Sequence, residues 1–109
     1  MTQRFSCPFL NREVELTQER EGHIAETHPG TLPDYLEQLA ETLLAPDQIR
    51  TSSRDERALL FSKWFTTIRT GRYLVVVVVS DTDPERHWII TTYTARRLSG
   101  GKVIWPTEN

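Results

Sequence analysis

The sequence predicts an α+β domain: two N-terminal helices packed on a four-stranded, or slightly larger, antiparallel sheet. Three observations predict it. Tyr35, Leu36, Leu39, Ala40, Leu43 and Leu44 recur at helical spacing and make one apolar stripe. Residues 74–79 are one leucine followed by five valines, an apolar run that must be covered on both faces and so belongs mid-sheet. The strand candidates around that run are joined by short, turn-rich connections, which imply hairpins and antiparallel pairing.

The elements follow in order. Residues 1–16 read as an edge strand or arm. Val14 and Leu16 alternate with Glu13 and Glu15, and Pro8 confines the segment to an edge. Residues 17–45 hold the two helices. Thr17 is a fitting N-cap and Glu19 complements the dipole of a first helix running from Gln18 to about Thr27. Gly22 costs that helix about 1 kcal/mol relative to alanine. Pro29-Gly30 ends it. Pro33 and Asp34 suit the first turn of the second helix, and Ala45-Pro46 stops it. The sheet occupies residues 47–105, with strands expected over 47–52, 57–65, 73–79 and 88–95. The helices cover one face of it. The other face needs edge elements, the C-terminal tail or a partner.

Size and composition narrow the function classes. A chain of 109 residues fits one domain, and 38% apolar with 26% charged residues is ordinary for a soluble globular protein. No stretch approaches the roughly 20 apolar residues that cross a bilayer. The start, Met1-Thr2-Gln3-Arg4, lacks the apolar core of a signal peptide, and the chain reads as cytoplasmic. Cys7 is the sole cysteine, which excludes an intrachain disulfide and fits a small buried hydrophobe in a reducing compartment. The net charge of −2 is uneven. Residues 1–48 carry nine acids and three bases, and residues 49–109 carry six acids and ten bases. A basic face in the second half would attract phosphate, although the same charges also fit solvated strand edges.

Three features are candidates for chemistry. His23 and His28 each fit a general acid or base, because an imidazole titrates near neutrality. Each also fits an exposed or capping histidine. Five residues separate them, about 140° around a helix, so they do not form a metal pair on one face. The second feature is Ser52-Ser53-Arg54-Asp55-Glu56-Arg57, a charged turn whose arginines suit a phosphate or a developing negative charge. The third is Thr91-Thr92-Tyr93-Thr94-Ala95-Arg96-Arg97. Strand alternation puts Ile90, Thr92 and Thr94 on one face and Ile89, Thr91 and Tyr93 on the other. Hydroxyls beside arginines suit a phosphodiester, and threonine is also simply a good strand former. Glycine-rich phosphate loops, paired cysteines and nucleophile elbows are absent from the sequence, and Asp81-Thr82-Asp83 reads as turn chemistry.

The order of these features resembles a known family. His23, His28-Pro29, the segment Ala45-Pro46-Asp47-Gln48-Ile49-Arg50, the Arg54-Asp55 turn, residues 59–64, the valine strand and Ile89-Ile90-Thr91-Thr92-Tyr93 are similar to phage-associated nucleases of the barnase–EndoU–colicin–RelE-like superfamily. The likeness covers residues 19–97. It implies RNA cleavage without metal or cofactor, by attack of the 2′-hydroxyl on the neighbouring phosphate, in a toxin or phage-conflict protein. It further implies that His23 or His28 is the acid or base, that Arg54 or Arg57 stabilises the phosphorane, and that Thr92 or Thr94 with Arg96 positions the phosphate, with Lys63 also a candidate. The catalytic set is then His23, His28, Arg54 and Thr94, and the substrate-binding set Arg57, Lys63, Thr92 and Arg96. An acidic chain binds RNA weakly through charge alone, so a narrow substrate such as transfer RNA or ribosome-bound RNA fits best. Partners on this reading include an antitoxin or a second copy. Two other readings compete: a non-catalytic, dimeric interaction module, and a metal-dependent hydrolase using His23, His28, Glu19 or Glu26.

Overall fold

The computed structural model describes residues 1–107. Strand β1 (Gln3–Cys7) pairs antiparallel with β2 (Arg12–Leu16) around a single 3-10 turn at Pro8–Leu10. Helices α1 (Gln18–Thr27) and α2 (Leu36–Leu44) follow. Then come β3 (Gln48–Thr51), β4 (Ala58–Phe65), β5 (Arg72–Thr82), β6 (Glu85–Ala95) and the short β7 (Val103–Trp105). The strand order is β1-β2-β6-β5-β4-β3-β7.

The antiparallel sheet of four or slightly more strands expected from the sequence is therefore incorrect. The sheet has seven strands and is mixed, because β2 runs parallel to β6 at Glu15↔Trp88. The helices also do not come first, since the β1–β2 hairpin precedes them. The extra strands are only three to five residues long. Residues 1–16, expected as one edge strand or arm, are two strands with Pro8 in the connection between them, and β7 is too short to show alternation.

The local chemistry of the helices explains their bounds. Thr17 accepts a hydrogen bond from the Arg20 amide at 3.2 Å and so caps α1. The second helix starts later than Pro33 suggests. Residues 31–35 form turns instead, closed by the Tyr35 amide on the Thr31 carbonyl at 2.8 Å. Leu39 and Leu43 are fully buried against the sheet, where burial of each stabilises by about 1.5–3 kcal/mol. No helix among the described residues is long and apolar enough to cross a membrane.

β5 is the fourth of seven strands, and its alternation divides the core in two. Leu74, Val76 and Val78 join Ile24, Leu39, Leu43, Phe61 and Ile89 beneath the helices. Val75, Val77 and Val79 form a second cluster on the far face with Ala58, Leu60, Tyr73, Trp88, Ile90, Tyr93 and Leu98. A bulge between Val77 and Val78 shifts the register of β6. It turns Ile89 to the helical side and Ile90 to the far side, the reverse of what strict alternation predicts.

The chain's own crossover partly covers the far face. Residues 96–102 pass from β6 to β7 over that face, and Leu98 packs into the second cluster. The crossover is tied down at β3. The Thr51 amide donates to the Lys102 carbonyl at 2.8 Å, the Lys102 amide donates to Thr51 Oγ1 at 2.9 Å, and Arg50 Nε donates to the Gly100 carbonyl at 2.8 Å. Gly101 has φ +63°, and a Cβ there would lie 1.7 Å from the Thr51 carbonyl oxygen. Gly101→Ala is therefore expected to detach the crossover. The left-handed backbone alone costs about 1–2 kcal/mol, and each kcal/mol lowers Tm by about 4–8 °C in a domain near this size. Thermal unfolding measures it, and an unchanged Tm would contradict the tie.

Candidate functional site

A cleft of about 560 Å3 opens on the far face of the sheet. It lies between the crossover, the turn after β3 and the end of α1. His28, Ser52, Ser53, Arg54, Asp55, Thr91 and Tyr93 line it, over a floor of Ala58, Leu60, Val77 and Ile90. Its size is that of a small-ligand site, with an apolar floor and a few converging polar groups.

Each polar group is positioned by a different element. His28 is the C-cap of α1. Its amide donates to the Ile24 carbonyl at 2.8 Å, and its carbonyl accepts from the Thr31 amide at 3.3 Å. β2 pairs with β6 only near Trp88. The C-terminal half of β6 is thus left without a β2 partner, and there the His28 ring meets the Tyr93 ring at a centroid distance of 5.8 Å. Arg54 sits in a tight turn. Ser52 Oγ accepts from the amides of Arg54 at 3.1 Å and Asp55 at 3.3 Å, and the Ala58 amide closes the turn on the Asp55 carbonyl at 3.0 Å. Tyr93 stands on β6 opposite Val75. Burial pushes its phenol above the ordinary value, while the Arg54 charge pulls the other way. The phenol accordingly stays protonated at neutral pH, with its proton available for donation.

The structure brings only part of the predicted set together. His28 and Arg54 line the cleft. His23 is exposed on α1 and does not. Thr92 is fully buried on the helical side, where its hydroxyl donates to the Val75 carbonyl at 2.8 Å. Thr94 stands opposite Leu74, on the same helical side. Arg57 is held away by Asp81 at 3.0 Å and Asp55 at 3.6 Å. Lys63 donates to the Ala45 carbonyl at 2.9 Å and approaches Asp47 at 3.6 Å, which staples the end of α2 to β4. Arg96 is exposed and outside the cleft. In place of Thr92 and Thr94, β6 presents Thr91 and Tyr93. Alternation pairs these two on one face, but it carries no signal of which face stays open.

A second polar cluster lies on the helical side. Ser80 Oγ is 2.6 Å from His87 Nδ1, and His87 Nε2 is 2.9 Å from Glu85, which also meets Arg12 at 3.2 Å. With Glu85 ionised, Nε2–H donates to the carboxylate, and in the neutral ring the Ser80 hydroxyl donates to Nδ1. The His87 hydrogen bond holds the Glu85 carboxyl below its ordinary 4.5, with desolvation opposing and Arg12 adding to the lowering. A depressed carboxylate contributes stability that is present above pH 4.5 and lost as the pH falls through the lower folded-state value. Glu85→Gln is expected to flatten the acid limb of a plot of urea midpoint against pH below 4.5. An identical limb in the variant would contradict the linkage.

Among the described residues, no three histidine, cysteine, aspartate or glutamate side chains group as a metal site. Burial pushes the Cys7 thiol above its ordinary value, so it stays protonated within the core. No protein-family model, curated protein or solved structure matches the chain.

Proposed function

We propose that the protein is a cytoplasmic, metal-independent endoribonuclease that cuts RNA by attack of a 2′-hydroxyl on the adjacent phosphate. One observation carries the reading: an imidazole, a guanidinium with no ion pair among the described residues and a protonated phenol converge on one open cleft, from α1, the β3–β4 turn and β6. The sequence likeness of His28-Pro29, the Arg54 turn and the Thr91–Tyr93 strand to phage-associated nucleases supports it.

The chemistry assigns each group a part. His28 takes the proton from the 2′-hydroxyl as its oxygen bonds to phosphorus. Arg54 lies against the phosphoryl oxygens and stabilises the charge that grows on the phosphorane. The P–O5′ bond then breaks, and Tyr93 donates its proton to the leaving 5′-oxygen. The products are a 2′,3′-cyclic phosphate and a 5′-hydroxyl. Proton return from His28 to Tyr93 through solvent resets the site. Thr91 and Ser53 supply further donors along the cleft wall. Asp55 also lines it and would repel phosphate, but Arg57 lies against its carboxylate.

The test is incubation with single-stranded RNA, transfer RNA and ribosomes in EDTA, with end analysis of the fragments. Cyclic-phosphate ends are the expected result. Intact RNA across all three substrates would refute the reading.

A further inference from the structure

We propose that the far face beyond the cleft is a track for single-stranded RNA, on which Trp64 and Tyr73 form a stacking platform for a base flanking the scissile phosphate. The proposal rests on the ribonuclease reading and names the substrate class of that same site.

Trp64 is 42% exposed although it lies on a sheet face, an unusual place to leave an indole in water. It is nonetheless held in place. Its ring meets Tyr73 edge to face at a centroid distance of 5.0 Å. On another side it lies against Gly71, where a Cβ would come within 2.6 Å of the indole. A fixed, exposed aromatic is what a nucleobase stacks on, whatever its sequence.

Register puts the platform in line with the cleft. Trp64 pairs with Tyr73 and Leu60 pairs with Val77, so four residues of one strand, about 13 Å, separate the platform from the cleft floor. A second hollow of about 100 Å3 lies between them, bordered by Arg50, Arg97, Tyr93 and Ala95. Arg50 is hydrogen-bonded to neutral partners, the Gln48 side chain and the Gly100 carbonyl, so its charge is not neutralised there. Arg97 is exposed. Arginines between an aromatic platform and the cleft are complementary to a strand with charged phosphates and unpaired bases. A duplex hides its base faces and cannot use the platform.

The test uses a fluorescent 2′-O-methyl oligonucleotide of about eight nucleotides, which binds without being cut, beside its duplex form. Anisotropy titration at several salt concentrations is expected to show tighter binding of the single strand. Trp64→Ala should weaken that binding about tenfold and Trp64→Phe should restore most of it. Arg97→Ala should lower the salt dependence by about one phosphate contact with the platform intact. Equal affinity of single strand and duplex would overturn the track. So would an unchanged affinity in folded Trp64→Ala, or an unchanged salt slope in Arg97→Ala. Cleavage of a dinucleotide, which cannot reach the platform, separates the two ideas. Loss of flanking-strand binding with the dinucleotide still cut by Trp64→Ala supports the track. A wild-type protein that cuts nothing but binds the strand through Trp64 refutes the nuclease reading alone.

Discussion

Replacing His28 with alanine is expected to lower RNA cleavage by about 10²–10⁴-fold, the usual contribution of a positioned general base. The fold should survive, because the α1 cap uses the His28 backbone amide, which alanine retains. Binding of a non-cleavable strand should change little, since Arg54, Arg50 and Arg97 supply the charge. The measurement is single-turnover cleavage beside a thermal melt. A His28→Ala protein that melts with the wild type and cuts as fast would remove His28 from the mechanism. Activity of His23→Ala is the internal control. His23 is exposed outside the cleft, and its removal is expected to leave the rate unchanged.

The largest effect on stability is expected from Phe61→Ala. Phe61 is fully buried in β4, between Ile49 of β3 and Val76 of β5, and its ring meets Phe9 edge to face at 6.1 Å. Truncation of a buried phenylalanine costs about 3–5 kcal/mol, through lost transfer energy and the cavity left behind. Domains of this kind have roughly 5–15 kcal/mol in total, so the substitution removes a large share of the stability. Phe9→Ala removes the partly exposed member of the same pair and should cost much less. Urea unfolding of both variants measures the difference. Equal destabilisation would mean that the pair, and not the burial of Phe61, carries the energy.

Several elements were legible because their causes are local. The α1 boundaries follow from Thr17 and Pro29, whose effects span a few residues. The antiparallel run β3-β4-β5-β6 follows from its hairpin turns, and the central place of β5 from its valines. The hairpin β1–β2 and strand β7 were not legible in the same way. β1 and β2 pair with each other, but their place at the sheet edge is set by the distant Trp88 beside β2, and β7 pairs with the distant Ile49 and Arg50. The late start of α2 had a similar cause, because the backbone of residues 31–35 is spent on turns that no helical pattern reveals.

The sequence by itself determined which residues of β6 travel together: Thr92 with Thr94, and Thr91 with Tyr93. Period-two alternation is a local property of an extended chain and needs no knowledge of the fold. It is also symmetric, so it says nothing about which face the helices will take. Only the tertiary structure decided that. The helices bury the Thr92 side, the crossover of residues 96–102 shields the other side in part, and the His28 ring meets Tyr93 where β2 no longer pairs with β6. A site built from α1, the β3–β4 turn and β6 depends on long-range packing, and no window of sequence contains it.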